Sequence, residues 1–102
     1  MDSVEVFRAL GDPVRLKIVQ MVADAGELCV CHIVERLNMT QPAVSHHLTR
    51  LRYSGLLKTR KEGQWVYYSL DISILEQLGT VLTDLVQAAK SASNQSIYCR
   101  AD

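Results

Sequence analysis

The sequence predicts a mainly helical domain with one small β-hairpin, and three observations indicate this fold class. Apolar residues recur at helical spacing through residues 4–51. The period then changes, and two runs of strand composition flank a short turn that contains glycine. Helical spacing returns after Asp71 and continues to residue 90. With 102 residues, 48% of them hydrophobic, the chain is long enough for one domain with a modest core.

The first two helices are predicted from signals that end one helix and begin the next. Residues 4–10 form a short apolar segment that ends at Gly11. Asp12 is then expected to cap the second helix, with Pro13 at its first position, where the missing N–H costs nothing. This helix is expected to close at residues 24–26.

The third and fourth helices are predicted to form a helix-turn-helix. Residues 27–37 are expected to be helical, and residues 38–40 form a tight turn whose last residue, Thr40, caps the fourth helix. The buried stripe of the fourth helix is Val44, Leu48 and Leu51, and Gly55 ends it. In such a motif the second helix enters the major groove of DNA.

The hairpin and the last helix complete the predicted order α-α-α-α-β-β-α. Residues 57–61 and 65–70 are the strands, and residues 62–64 are the turn. Residues 72–90 carry apolar side chains three and four positions apart, which form a seam typical of helix pairing. This is more apolar surface than one small domain covers, so the sequence predicts a winged helix-turn-helix homodimer. Its domain spans residues 1–90, and residues 91–102 form a polar tail.

Candidate DNA contacts follow from the distribution of charge, because Lys+Arg and Asp+Glu balance at 11 each. Positions 50–61 hold five basic residues and no acid, so the middle of the chain is basic. The polar face of the fourth helix and the basic hairpin are the expected DNA-binding surface. On the helix the candidates are Gln41, Ser45, His46, Thr49 and Arg50, and on the wing they are Lys58, Arg60, Lys61 and Gln64.

The aromatic residues of the hairpin have a different predicted role. Trp65, Tyr67 and Tyr68 are expected to pack in the core of the wing rather than to stack on bases.

Three cysteines, Cys29, Cys31 and Cys99, are an odd number, which argues against a secreted disulfide framework and favours the reducing cytoplasm. The start of the sequence does not read as a signal peptide, and no apolar run of about 18 residues predicts a membrane span. No phosphate-binding loop, nucleophile elbow or paired carboxylates indicate an enzyme. His32 is expected to be a partly exposed helix residue rather than a metal ligand.

The spacing of Cys29 and Cys31 suggests how an ion would act. Thiolates prefer soft ions. On a regular helix two residues this close in sequence point about 200° apart, so one ion could bind both sulfurs only if the start of the helix is frayed or unwinds. We therefore expect ion binding to distort the helix that supports the recognition helix.

Four segments carry a family resemblance: FRALGDPVRLKIV, ELCVC, TQPAVSHHLTRLRYSGLL and RKEGQWVYYSL. In order and spacing they resemble the ArsR/SmtB family of metal-sensing repressors, over about residues 4–90. The resemblance implies a homodimer formed by the first and last helices. It also implies that the metal-free dimer binds a palindromic operator in double-stranded DNA and that metal or metalloid binding releases it. The regulated genes would be a resistance operon.

The resemblance also implies a ligand set. Arsenic- and antimony-responsive members use a Cys-Val-Cys at this place, whereas cadmium- and lead-responsive members add ligands from an N-terminal extension. The third cysteine of many arsenical repressors is replaced here by Val34, so Cys99 of either subunit is the remaining candidate. As(III) or Sb(III), bound by Cys29, Cys31 and Cys99, is the first expected inducer, and Cd(II) or Pb(II) is the second.

Two further alternatives stay open on the same fold. The cysteines could form a redox sensor, or the protein could have no inducer. The last helix lacks histidine and has few carboxylates, which argues against the zinc, nickel or cobalt site of other members.

Overall fold

The computed structural model describes residues 2–92 and confirms the mainly helical architecture with a small sheet. Each predicted helix and both hairpin strands are present, and one further strand precedes the third helix. In chain order the elements are α1 (Ser3–Leu10), α2 (Pro13–Ala25), β1 (Leu28–Cys29), α3 (Val30–Leu37), α4 (Gln41–Tyr53), β2 (Leu57–Glu62), β3 (Trp65–Leu70) and α5 (Ile72–Ala92).

The predicted caps begin α2 and α4. The carboxylate of Asp12 accepts hydrogen bonds from the backbone N–H groups of Val14 and Arg15 at 2.9 and 3.0 Å. The bond from Arg15 is the main reason why the pKa of Asp12 lies below its ordinary value. The hydroxyl of Thr40 accepts a hydrogen bond from the N–H of Ala43 at 3.3 Å. Both helices therefore start where the side chains satisfy free backbone donors.

The predicted start of the third helix at residue 27 is wrong. Gly26 turns the chain with a φ of 82°, and Leu28 and Cys29 then run extended as β1. They pair antiparallel with Tyr68 and Tyr67 of β3, so the sheet order is β1-β3-β2. The backbone bonds to β3 and the burial of Leu28 outweigh the helical pattern of the local sequence.

The hairpin of β2 and β3 has a tighter turn than predicted. Its register runs from Leu57 opposite Leu70 to Glu62 opposite Trp65, which leaves a two-residue turn. Gly63 comes first in that turn with a φ of 61°, the arrangement that suits glycine in two-residue hairpins. The hairpin therefore projects as a wing beyond the core.

The core lies between α1, α2, α3, α4 and the base of the hairpin. The predicted stripe of α4 is buried there, and the largest fully buried side chains are Ile18, Ile33, Leu48, Leu51 and Leu56. A glycine at position 55 ends the turn after α4 with a φ of 91°. These contacts fix α4 and the wing in one orientation relative to each other.

Helix α5 contributes little to this core. It runs through Ala92, two residues beyond the predicted end, and Leu78 is its one buried residue. Leu82, Leu85 and Val86 are 53, 62 and 49% exposed. Within residues 2–92, none of the helices is both long and apolar enough to span a membrane. Residues 93–102 of the predicted tail, with Cys99, lie outside the described residues.

Candidate thiol site and nucleic-acid interface

The sulfurs of Cys29 and Cys31 lie side by side at the start of α3. Cys29 is the extended residue that precedes the helix, with φ −87° and ψ 162°, and Cys31 belongs to the first helical turn. Their Cα atoms are 5.4 Å apart, and their sulfurs are joined in a disulfide. Cys29 is buried, whereas Cys31 is exposed. The divergence predicted for a regular helix does not occur, because Cys29 lies before the first helical residue.

The expected unwinding of α3 on ion binding stays a prediction. Two sulfurs that bind one ion must lie within about twice a metal–sulfur bond of about 2.3 Å. The break in helical conformation at Cys29 already brings the two side chains together at the start of Val30–Leu37.

His32 adds a third donor atom beside the two sulfurs. Its Nδ1 lies 3.3 Å from Sγ of Cys29, and one atom from each of the three side chains lies within 4.8 Å of the others. The side chain is exposed, as predicted, but its position at the thiols was not predicted. The position of His32 in the sequence could have indicated this contact. Cys29 is the N-cap of α3, so His32 is the third helical residue, and a side chain at that position reaches back to the cap.

A cleft of about 510 Å³ opens beside the cysteines and joins three elements. Gln41, the first residue of α4, forms one part of its wall, and Gln64 and Trp65 at the tip of the wing form another. Its lining residues are Cys29, Val30, Cys31, Val34, Glu35, Gln41, Gln64, Trp65 and Val66. The cleft beside the sulfurs therefore borders both parts of the predicted DNA-binding surface.

The predicted DNA-reading residues lie on one outer face of α4. Gln41, His46, Thr49 and Arg50 are exposed, and Ser45 is half-buried. The turn before α4 is as short as predicted. The solvent-facing polar side chains are therefore held on a rigid helix, which is the arrangement that major-groove reading requires.

Below this face, His47 is partly buried. Its Nδ1 lies 3.4 Å from the guanidinium of Arg15 and 3.9 Å from the carboxylate of Asp12. These contacts connect α4 to the start of α2.

The four predicted wing residues, Lys58, Arg60, Lys61 and Gln64, are all exposed, but Arg60 has partners within the domain. Its guanidinium donates to both carboxylate oxygens of Glu27, at 2.9 and 3.1 Å, and to Glu62. It also lies over the ring of Tyr67, 4.7 Å from the ring centre. The hydrogen bond from Arg60 lowers the pKa of Glu27.

Arg60 therefore ties the wing to the segment that leads into the thiols. Sequence reasoning missed this contact because Glu27 is 33 residues away along the chain.

The aromatic residues of β3 take three different positions. Tyr68 packs against the core as predicted, and Tyr67 is half-buried under Arg60. The predicted packing of Trp65 in the core is wrong, because this residue sits next to the hairpin turn, beyond the reach of the core, and is 51% exposed.

Comparison with known proteins agrees with the fold and the order of elements. Residues 12–59 match the family model described as bacterial regulatory protein, arsR family. The chain is 38% identical over 91 residues to the arsenic resistance transcriptional regulator ArsR2 of Pseudomonas putida, which covers 89% of this chain and 76% of that protein. It is 45% identical over 78 residues to the cadmium resistance transcriptional regulatory protein CadC homolog of Staphylococcus aureus, which covers 76% of this chain and 64% of that protein.

Solved structures give the same result. HlyU from Vibrio cholerae superimposes with a TM-score of 0.68 and 36% identity, over 78% of this chain and 86% of that chain. The AntR antimony-specific transcriptional repressor superimposes with a TM-score of 0.63 and 28% identity, over 85% of this chain and 79% of that chain.

Proposed function

The chain belongs to the arsR family of bacterial regulatory proteins, and from this premise we propose that it leaves its operator when trivalent arsenic or antimony binds Cys29 and Cys31. Members of the family are DNA-binding transcriptional regulators and not enzymes. The observation that carries the proposal is the shared cleft. The two sulfurs open into a space whose walls include Gln41 of the recognition helix and Gln64 of the wing.

DNA binding is assigned to the exposed faces of α4 and the wing. Gln41, Ser45, His46, Thr49 and Arg50 face the major groove, where short or flexible polar side chains reach base edges. Lys58, Lys61 and Gln64 meet the backbone or the minor groove. The guanidinium of Arg60 already donates hydrogen bonds to Glu27 and Glu62. It contacts a DNA phosphate only if its N–H groups are shared between these carboxylates and the phosphate.

We assign the uncovered apolar face of α5 to a second copy of the chain. The exposed Leu82, Leu85 and Val86 lie on α5, and Val4 on α1 is 59% exposed. A two-fold dimer through these helices would hold its recognition helices at half-sites about 34 Å apart. Leu85→Glu should give monomers by light scattering and lose operator binding. Gln87→Glu adds the same charge at an exposed polar position of the helix and should stay dimeric.

The inducer is assigned by the chemistry of the donor atoms. Two sulfurs and an imidazole nitrogen suit soft ions, and the relatives named above include arsenic- and cadmium-resistance regulators. We rank As(III) and Sb(III) first among the candidate inducers. Each of these ions forms three bonds, and a pair of thiolates leaves one bond for Cys99 or another ligand. Cd(II) and Pb(II) come second. Because the thiols must be reduced and the target is DNA, we place the protein in the cytoplasm.

Release from DNA follows from the position of the ligand. An ion on Cys29 and Cys31 lies in the cleft between α4 and the wing tip, where its binding changes the distance between the two DNA-binding elements. Helix α4 and the wing can contact DNA at the same time only when the distance between them is fixed. A change in that spacing weakens all contacts of the subunit together.

The test is operator binding by the reduced full chain during titration with arsenite, antimonite, cadmium, lead and zinc. Release by arsenite that disappears in Cys29→Ser and Cys31→Ser supports the proposal. The Cys99→Ser curve then shows whether that residue completes the site. Tight DNA binding that no ion changes would refute a metal-sensing function.

A second candidate function, a thiol redox sensor, is favoured by the disulfide between Cys29 and Cys31. Peroxide would oxidise the two thiols to the disulfide and be reduced to water. Oxidation should then release the operator with loss of two titratable thiols, in wild type and in Cys99→Ser alike. Equal operator affinity of the oxidised and reduced proteins would exclude this function.

A further inference from the structure

The DNA-facing side of α4 continues to an exposed aromatic residue at the end of the helix. Tyr53 is the last residue of α4 and is 83% exposed. At 3.6 residues per turn it lies about 20° around the helix axis from His46, between Thr49 and Arg50. Its hydroxyl has no hydrogen-bond partner among residues 2–92. The candidate DNA-reading face therefore extends almost one turn beyond Arg50.

A small cleft opens between this end of α4 and helix α1. Its volume is about 110 Å³, which is enough for a phosphate group, since one water molecule takes about 30 Å³ in the liquid. Its walls are formed by Glu5, Arg8, Ala9, Arg50, Tyr53 and Ser54. Two guanidinium groups and a phenol hydroxyl thus border one space of suitable size.

The charges around this cleft favour an anion. Arg50 is exposed and has no ion-pair partner among the described residues, whereas Arg8 is paired with Glu5. The two arginines and one glutamate leave a net positive charge at the cleft. A guanidinium has five N–H donors, so Arg8 retains donors beyond its bond to Glu5. Arg50 and Arg52 in the last turn offset the negative end of the helix dipole.

From these positions we propose that the cleft between α1 and α4 binds one backbone phosphate of operator DNA, through Arg50, Arg8 and the hydroxyl of Tyr53. The inference rests on the DNA binding described in the proposed function, and it does not depend on the response to an ion. It adds Tyr53 and Arg8 to the residues that contact DNA.

The length of α4 explains why its last turn reaches the DNA backbone. Its thirteen residues span about 20 Å, whereas the major groove is about 12 Å wide. A helix whose middle lies in the groove therefore meets phosphates near both of its ends. The wing tip lies beside Gln41 at the first end, and the cleft with Tyr53 lies at the second. Arginine and tyrosine side chains are common donors to phosphate oxygens.

The first experiment tests the hydroxyl of Tyr53 by fluorescence anisotropy of labelled promoter DNA with the reduced full chain and no ion. Tyr53→Phe should weaken binding by about tenfold or more, because a two-fold dimer loses two hydrogen bonds to charged groups. Tyr67→Phe removes the same group from a half-buried residue of the wing and should bind as wild type does.

Charge variants test the anion site in the same assay. Arg50→Gln should reduce the slope of log K against log salt concentration by about 1.8, since each lost phosphate contact contributes about 0.9. Arg52→Gln removes the same charge from the other side of the helix and should leave the slope unchanged. Glu5→Gln removes a carboxylate from the cleft and frees Arg8, so it should strengthen DNA binding, which loss of a purely structural ion pair would not do.

Uncharged methylphosphonates, placed one at a time along the promoter duplex, identify the phosphate itself. At one position in each half-site the substitution should weaken binding of wild type. It should have much less effect on Tyr53→Phe and Arg50→Gln, because these variants have already lost the contact.

The outcomes separate the inference from the proposed function. If wild type binds the promoter and Tyr53→Phe binds equally well at every phosphate position, the inference is overturned and the proposed function stands. If Tyr53→Phe is monomeric by light scattering, Tyr53 contacts a second copy of the chain instead, and the inference is overturned as well. If reduced wild type does not bind its promoter DNA, the proposed function itself fails.

Discussion

Variants of two adjacent wing residues, Arg60 and Lys61, can distinguish the contacts of the wing with DNA from its bonds within the domain. Arg60→Gln and Lys61→Gln each remove one positive charge from β2, but neighbouring side chains of a strand point to opposite faces. Arg60 is held by Glu27 and Glu62, whereas Lys61 is exposed without an ion-pair partner among residues 2–92. Of these two residues, Lys61 is therefore the one that can neutralise a phosphate without breaking an ion pair of the described residues.

The size of the effect follows from counterion release. Each lost phosphate contact reduces the slope of log K against log salt concentration by about 0.9 for duplex DNA. In a two-fold dimer Lys61→Gln removes two contacts, so the slope should fall by about 1.8. Between about 50 and 200 mM salt, the variant should then lose about tenfold less affinity than wild type does. Arg60→Gln should leave the slope close to that of wild type.

The assay is fluorescence anisotropy of labelled promoter DNA at several salt concentrations, with the reduced protein and no ion. Lys58→Gln serves as a second free-lysine variant and should behave like Lys61→Gln. The reasoning is refuted if Arg60→Gln reduces the slope as much as Lys61→Gln does. That result would mean that Arg60 exchanges its carboxylate partners for phosphates when DNA binds.

Three further predictions concern the scaffold. Gly55→Ala should lower the free energy of unfolding in urea by about 2 kcal/mol or more, because φ is 91° and a Cβ would lie 3.0 Å from Cδ1 of Ile74. Gly63→Ala should lower it by about 1 kcal/mol, because φ is 61° and the space around the new Cβ is open. Equal losses in the two variants would contradict the steric argument. Thr40→Ala should cost about 1 kcal/mol and weaken operator binding, while Thr40→Ser keeps the cap and should restore both. Asp12 has a folded-state pKa below its ordinary 3.8, so its stabilising effect is full above about pH 4 and is lost as the pH falls through the lowered pKa. Acid unfolding of Asp12→Asn, followed by circular dichroism, should therefore depend less on pH than that of wild type, and an unchanged profile would exclude the cap as a cause.

The elements that the sequence predicted well carry their signals locally. Asp12 next to Pro13, and Thr40 ahead of an apolar stripe, mark helix starts with side chains that bond to their own backbone. The hairpin could be located because two runs of strand composition flank a turn that contains glycine. In each case the information lies within a few residues of the element, so one sequence suffices.

The features that the prediction missed depend on contacts between distant segments. β1 has two residues and no period of its own, and it exists because Tyr67 and Tyr68 offer it a strand edge about forty residues later. That pairing places Cys29 outside α3 and so decides how the two sulfurs meet. The bond between Glu27 and Arg60 has the same origin. Cys29 and Cys31 could thus be proposed as ligands from the sequence, but the geometry that places His32 beside them could not.

The shortness of β1 links the proposed sensing site to local unfolding. The segment that carries Cys29 keeps its extended form through pairing at only two positions, opposite Tyr67 and Tyr68. Such an edge opens more readily than the core, and hydrogen exchange would report the opening at those amides. A ligand that binds only when β1 is paired with β3 stabilises this pairing by mass action. Warming reduces the fraction of molecules in which the pairing is intact. Sensitivity to the inducer should therefore decline at temperatures where the hairpin frays but the helices remain folded.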